Sequence, residues 1–381
     1  MMRRLGALLS LVLLAGCGGD VNVIEATDRP DLDIPGDGVD LKWAWSIDVG
    51  EAVELRRRLE PAVSDGRVFA AGAGGTLVAV DARTGDRVWR KNLEDRSLSG
   101  GPAVGDGLVV IGTREGKALG FDASNGDARW ESGVTSEVLA PAAIGQDSVV
   151  VRTNDGRVFA VNPDNGERRW LYDRSVPPLT LRGHSAPTLV KGGVLAGFDN
   201  GRLVALKLAD GTPAWEATVA VASGATDIER MVDIDGDPRV EGSQVFATSY
   251  QGRVAGIALG DGSIAWTRDI SSYNSVGLDE GNVYVSDSDS QVWALDRNNG
   301  ATVWRQDALD GLSLTPPRRF GEYVLVGGSD GHLYWLSPDD GSIVARRRIG
   351  DTRIVVPPKV QGRWLYVQTV GGKVVALRRP E

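Results

Sequence analysis

Cysteine is almost missing from this chain: Cys17 is the only one in 381 residues, so no disulfide can staple the fold internally. Histidine is nearly as scarce. His184 and His332 stand far apart in the sequence, and two lone imidazoles form neither a metal set nor a paired base; both read as surface polar residues. No apolar run approaches the roughly 20 residues that a membrane-spanning helix needs. No Gly-x-x-x-x-Gly-Lys loop is present to cradle phosphates. Long amphipathic helical periods are absent too. The net charge of −9 excludes the basic surface that nucleic acid or anionic headgroups require, so no nucleic-acid partner is expected.

What is present begins with a leader. Arg3 and Arg4 precede an apolar run from Leu5 to Ala15, broken only by Gly6 and Ser10, which is the pattern of a secretory signal. Its end, Leu14-Ala15-Gly16-Cys17, resembles the lipobox of bacterial lipoproteins, in which the thiol is acylated before cleavage. This predicts a signal peptide over 1–16 and lipidation at Cys17. Several acyl chains on one residue hold firmly, at about 0.8 kcal/mol per buried CH₂. The next residue is Gly18, where lipoproteins kept at the inner membrane often carry Asp, which favours an outer-membrane address. Residues 17–40 are rich in Asp, Gly and Pro and read as a flexible lipidated tether.

The rest of the chain is a repeat. One copy reads Ala79-Val80-Asp81-Ala82-Arg83-Thr84-Gly85-Asp86-Arg87-Val88-Trp89, and the same frame returns at Asp122/Gly126/Trp130 and Asn162/Gly166/Trp170. It continues through Lys207/Gly211/Trp215, Ala258/Gly262/Trp266 and Asp296/Gly300/Trp304. A seventh copy, Ser337/Gly341, has Ala345 in place of Trp. Upstream of each frame lie alternating β-branched segments joined by Asp-Gly, Gly-Gly or Asn-Gly steps, the signature of hairpins. Four short strands in about 41 residues make a propeller blade. The last segment, from Val356 to Arg378, stops one strand short, while Leu41 to Asp48 is a strand without a blade. Joining the two predicts an all-β, eight-bladed β-propeller over 41–381, with four-stranded antiparallel blades and the last blade closed by the N-terminal strand. Closure also removes open sheet edges. Trp89, Trp130, Trp170, Trp215, Trp266 and Trp304 then dock between blades, each with its indole N–H on a carbonyl.

The frame Ala-x-Asp-x-x-x-Gly-x-x-x-Trp resembles the tryptophan-docking motif of the quinoprotein alcohol dehydrogenase superfamily, which holds both pyrroloquinoline-quinone (PQQ) dehydrogenases and lipoprotein scaffolds of the BamB family. The enzymes commonly cap their quinone with a disulfide of adjacent cysteines, which Cys17 cannot form, and their chains are much longer. No cofactor is therefore expected, and a PQQ-dependent periplasmic dehydrogenase is the alternative reading.

Two irregular loops point to the scaffold branch. Leu179-Thr180-Leu181-Arg182-Gly183-His184-Ser185-Ala186-Pro187 sets two leucines beside a charge. The longest gap in the tryptophan series, between Trp215 and Trp266, holds Asp233-Ile234-Asp235-Gly236-Asp237. Alternate carboxylates are also a feature of calcium loops, but the Glu that closes such a loop is missing, so no metal is expected. In the BamB family, loops of these two kinds meet a periplasmic POTRA domain of BamA, the outer-membrane insertase. The resemblance implies contact through Leu179, Leu181, Arg182, Asp233 and Asp235, membership of the outer-membrane β-barrel assembly (BAM) complex, and a role in inserting β-barrel proteins without enzymatic activity. The residues also leave open that the leucines pack internally while Arg182 pairs with Asp233 or Asp235. Unfolded outer-membrane proteins are a second class of partner, since strands can add to a sheet edge.

Overall fold

The computed structural model describes residues 39–50, 57–93, 95–174, 177, 179–181 and 185–380. The leader, Cys17 and most of the tether lie outside them, as do Arg182 and His184. Eight sheets follow one another around a ring, and no helix occurs among the described residues. Blade 1 is built from Ala62–Ser64, Arg67–Ala71, Thr76–Asp81 and Arg87–Asn92, running from the inner strand to the outer one. Each later blade repeats that order. Blade 8 comprises Lys359–Gln361, Trp364–Gln368 and Lys373–Arg378, and takes its outer strand from Lys42–Asp48. The register there runs from Lys42 opposite Arg378 to Asp48 opposite Lys373. Blade 2 departs from the expected four strands, because Arg58–Leu59 adds a short parallel fifth strand beside Gly100 and Gly101.

Each outer strand carries a bulge just before its docking position, as between Arg87 and Trp89 or Arg168 and Trp170. The extra residue re-aims the ring toward the neighbouring blade. The indole N–H groups of Trp89, Trp130, Trp170, Trp215, Trp266 and Trp304 donate to carbonyls of the next blade's turn at 2.7–3.0 Å. Each ring lies over the turn's glycine. At Gly166, for example, φ is +72° and an added Cβ would fall 2.8 Å from the Trp130 ring, so no side chain fits. The turn Asp acts locally: Asp81 Oδ1 accepts from the N–H groups of Arg83 and Thr84 at 2.8 and 2.9 Å. Lys207 and Ala258 replace it harmlessly. The docking acceptor is the next residue's backbone carbonyl, and Asp210 and Asp261 cap those two turns instead.

Two junctions depart from the six. Trp45, on the N-terminal strand, is a seventh docking tryptophan: its N–H donates to Ala82 O at 3.1 Å and its ring covers Gly85. Ala345 is not simply a lost tryptophan. In the six regular blades the docking ring pairs across the sheet with Ala or Gly, whereas in blade 7 Trp335 stands opposite Ala345. Large and small have exchanged strands. The chain ends interrupt blade 8 where a docking turn would lie, so the ring works from the third strand, packing against Leu41, Ile349, Leu365 and Leu377. Its buried Nε1 finds no hydrogen-bond partner. Arg347 completes the junction by donating to Leu41 O. His332, expected at the surface, is buried in the same blade, where its Nδ1 lies 3.2 Å from Asp330 O.

Candidate functional site

The two irregular loops lie on neighbouring blades and on one face of the ring. One links the outer strand of blade 3, Arg168–Tyr172, to the inner strand of blade 4, Thr188–Val190; the other links the outer strand of blade 4, Pro213–Thr218, to the inner strand of blade 5, Arg239–Glu241. They are stitched together. Ser185 Oγ donates to Gly236 O at 3.1 Å, Ala186 N to Asp237 Oδ1 at 2.7 Å and Thr188 Oγ1 to Pro238 O at 2.8 Å, while the Leu181 N–H donates to Asp233 Oδ2. On its other side, Gly236 lets the Asp-rich loop pack closely on blade 5 and on the segment that leads into blade 6. A Cβ there would meet Asn274 O and Thr248 Oγ1 at 2.5 Å.

These bonds sort the expected contact residues by role. Leu179 presents an apolar side chain to solvent at 40 % exposure, and Leu181 is half-buried with its backbone clamped. Asp233 and Asp235 are buried, so they hold the loop from beneath and do not form its outer surface. With them sits Asp199, from the hairpin of blade 4, for which the sequence offered no cue; oxygens of the three carboxylates lie within 4.8 Å of one another. Arg152 offsets one charge through a 2.6 Å pair with Asp199. Burial pushes the Asp233 carboxyl up to about 7, and Asp199 adds to that rise, against the opposing pull of the Leu181 N–H and Arg152. Asp237 does not join this group as a calcium-type loop would require. It turns to Arg58 instead.

Sequence reasoning missed the part of the long insertion that does face solvent. Val221 and Ile228 are 74 % and 61 % exposed, on a segment braced by Glu229, which accepts from the N–H groups of Ala225 and Thr226 at 2.7 and 3.0 Å. The available signal was two apolar residues within a polar stretch of the longest gap. Leu179, Val221 and Ile228 thus put apolar groups on adjacent loops of one face. One further motif carries no chemistry. Gly327-Gly328-Ser329-Asp330-Gly331 has the spacing of a hydrolase nucleophile elbow, but it turns between two strands of blade 7 and not into a helix, and Ser329 Oγ accepts from Ser313 N.

A sequence-family model described as "Outer membrane protein assembly factor BamB" matches residues 34–97, 73–306 and 296–379. A protein of that name from Alkalilimnicola ehrlichii is 50 % identical over 380 residues, covering 100 % of this chain and 97 % of the relative. The crystal structure of BamB from Moraxella catarrhalis superposes with a TM-score of 0.82 at 31 % identity, covering 89 % of this chain and 100 % of that one. Quinohemoprotein alcohol dehydrogenase from Comamonas testosteroni superposes with a TM-score of 0.70 at 14 % identity, over 93 % of this chain and 79 % of that one; this likeness is one of fold alone.

Proposed function

The chain belongs to the BamB family of outer membrane protein assembly factors, and on that premise we propose that it is a lipid-anchored, non-catalytic scaffold of the BAM complex, held by Cys17 on the periplasmic face of the outer membrane. Its domains are then a signal peptide over 1–16, a tether over 17–40 and the propeller beyond. Its docking face is the pair of stitched loops, and its partner there is a POTRA domain of BamA. Leu179, Leu181 and Arg182 meet the partner, while Asp233 and Asp235 keep the loop in shape.

The observation that carries this reading is the exposure of Leu179 on a backbone anchored two residues further on by a buried carboxylate. An apolar side chain on a pre-ordered loop loses little conformational freedom on binding, which is how a small anchor supplies a large share of an interface's energy. A dehydrogenase reading finds no comparable support. The test is recovery of BamA from solubilised membranes with the tagged protein and with its Leu179→Ala/Arg182→Ala variant. Loss of BamA with an unchanged melting temperature is expected; undiminished recovery would sink the assignment of these residues.

A further inference from the structure

One position recurs on the inner strand of every blade, defined by its pairing with the equivalent residue of the second strand, as Ala62 pairs with Phe69 and Ala103 with Val110. Around the ring these positions hold Ala62, Ala103, Ala143, Thr188, Arg239, Gly277, Arg318 and Lys359. Half of the circle is small and uncharged. The other half carries three cations on blades 5, 7 and 8, with Gly277 between the two arginines. A fourth cation, Arg58, enters from the strand that joins blade 2.

The carboxylates in this knot are already engaged. Arg58 bonds to Asp237, and Glu60 takes Lys359 at 3.0 Å and Arg58 at 3.5 Å. Burial alone would raise the Glu60 carboxyl, but Arg58 and Lys359 outweigh it and hold it below the ordinary range. Arg318 finds only the carbonyls of Pro317 and Val276, at 3.0 and 3.4 Å. The Arg239 side chain makes no hydrogen bond or ion pair among the described residues, although its charge, after that of Arg58, helps hold the Asp237 carboxyl low. Burial, and then Arg239 itself, pushes the Arg318 guanidinium down to about 9. Among the described residues the knot therefore sets four cations against two carboxylates, inside a chain whose net charge is −9. Cations gathered without matching anions are costly in a desolvated place. Cavities adjoin the knot: one of about 240 Å³, lined in part by Arg57, Arg58, Asp235 and Asn274, adds one more cation and one more carboxylate, and one of about 430 Å³ is lined in part by Glu60, Ala62, Ala103 and Lys359.

We propose that the axial channel is a binding site for a small oxyanion of the phosphate or carboxylate class, clasped between Arg239 and Arg318 opposite the alanine wall of blades 1 to 3. Guanidinium forks suit such ligands because each presents parallel N–H donors. The site goes beyond the docking face described above, though Asp237 joins the two by pairing with Arg58 while accepting from Ala186 N.

The experiment uses the full mature lipoprotein in detergent, titrated with inorganic phosphate, with succinate, and with chloride at matched ionic strength. Calorimetry and melting temperature are followed together. A saturable rise in melting temperature and a single-site isotherm with phosphate or succinate, absent with chloride, are expected, and the better of the two names the class. Arg318→Gln and Arg239→Gln should each weaken binding at least about tenfold. Equal responses to all three salts in the parent protein would overturn the proposal, as would binding that persists undiminished in both variants.

Discussion

Replacing Asp233 by asparagine tests both how the docking loop is held and what that support costs. The carboxyl is buried beside Asp199 and accepts the Leu181 N–H. Moving its pKa from 3.8 to about 7 means that ionising it inside the fold costs about 4 kcal/mol relative to the unfolded chain. Between those two values the folded protein binds the extra proton. Stability attributable to this group therefore falls as pH rises from about 4 to about 7, and is level above that. An amide has no charge to bury, and its carbonyl can still accept from Leu181 while its NH₂ replaces Asp233 Oδ1, which has no hydrogen-bond partner. D233N is expected to match the parent near pH 4 and to exceed it by up to about 4 kcal/mol at pH 8. Urea midpoints of both proteins at pH 4.5, 6 and 8 measure the difference. Asp237 and Asp330 titrate the other way, held low despite burial by Arg58 and by His332 with Tyr334, and are common to both proteins, so they cancel. A stability difference that does not change with pH would refute the reasoning.

Other perturbations probe the ring and the anchor. Trp335→Ala should cost about 3–5 kcal/mol, read from denaturation midpoints, because it empties the blade 7 to blade 8 contact. The exchanged pair Trp335→Ala/Ala345→Trp should not recover that loss, since blade 8 lacks the glycine turn on which an outer-strand ring would dock. Gly166→Ala should lower the melting temperature by several degrees through the Trp130 clash, whereas Leu179→Ser, at an exposed site, should leave it within about 1 °C. Cys17→Ser should move the protein from the membrane to the soluble fraction of fractionated cells.

The ring was legible because it is written eight times over, and local chemistry repeats with it. Trp45 was read as part of an outer strand but not as a docking residue, since the chain ends split its frame and Leu41, not Gly, stands four residues before it. Ala345 read as a defect because its compensation, Trp335, sits on the adjacent strand and shows only once the cross-strand pair is known. At the docking face, the leucine loop and the Asp-rich loop were recognisable as departures from a regular pattern. Which side chains point outward was not. Asp233 and Asp235 lie inside because the insertion folds back onto the hairpins of blades 4 and 5, where Ile234 N donates to Phe198 O and Tyr250 N to Asp233 O. Asp199 and the axial arginines were invisible for a related reason. Each is a single residue on a short strand or turn, and only the closed circle brings them together.

The pairing of Lys42–Asp48 with Lys373–Arg378 also sets an order in time. The strand made first has no partner until the strand made last arrives, so the final blade cannot close while any of the chain is still in transit. Blades 1 to 7 can form as they emerge, because each takes its four main strands from one contiguous stretch. Closure is then a single late event with a loop of more than 300 residues behind it. Until it happens, two sheet edges stand open, Trp45 lies on a strand that has no sheet, and Trp335 has no neighbouring blade to cover. The scaffold is therefore finished only once Lys373–Arg378 has reached Lys42–Asp48.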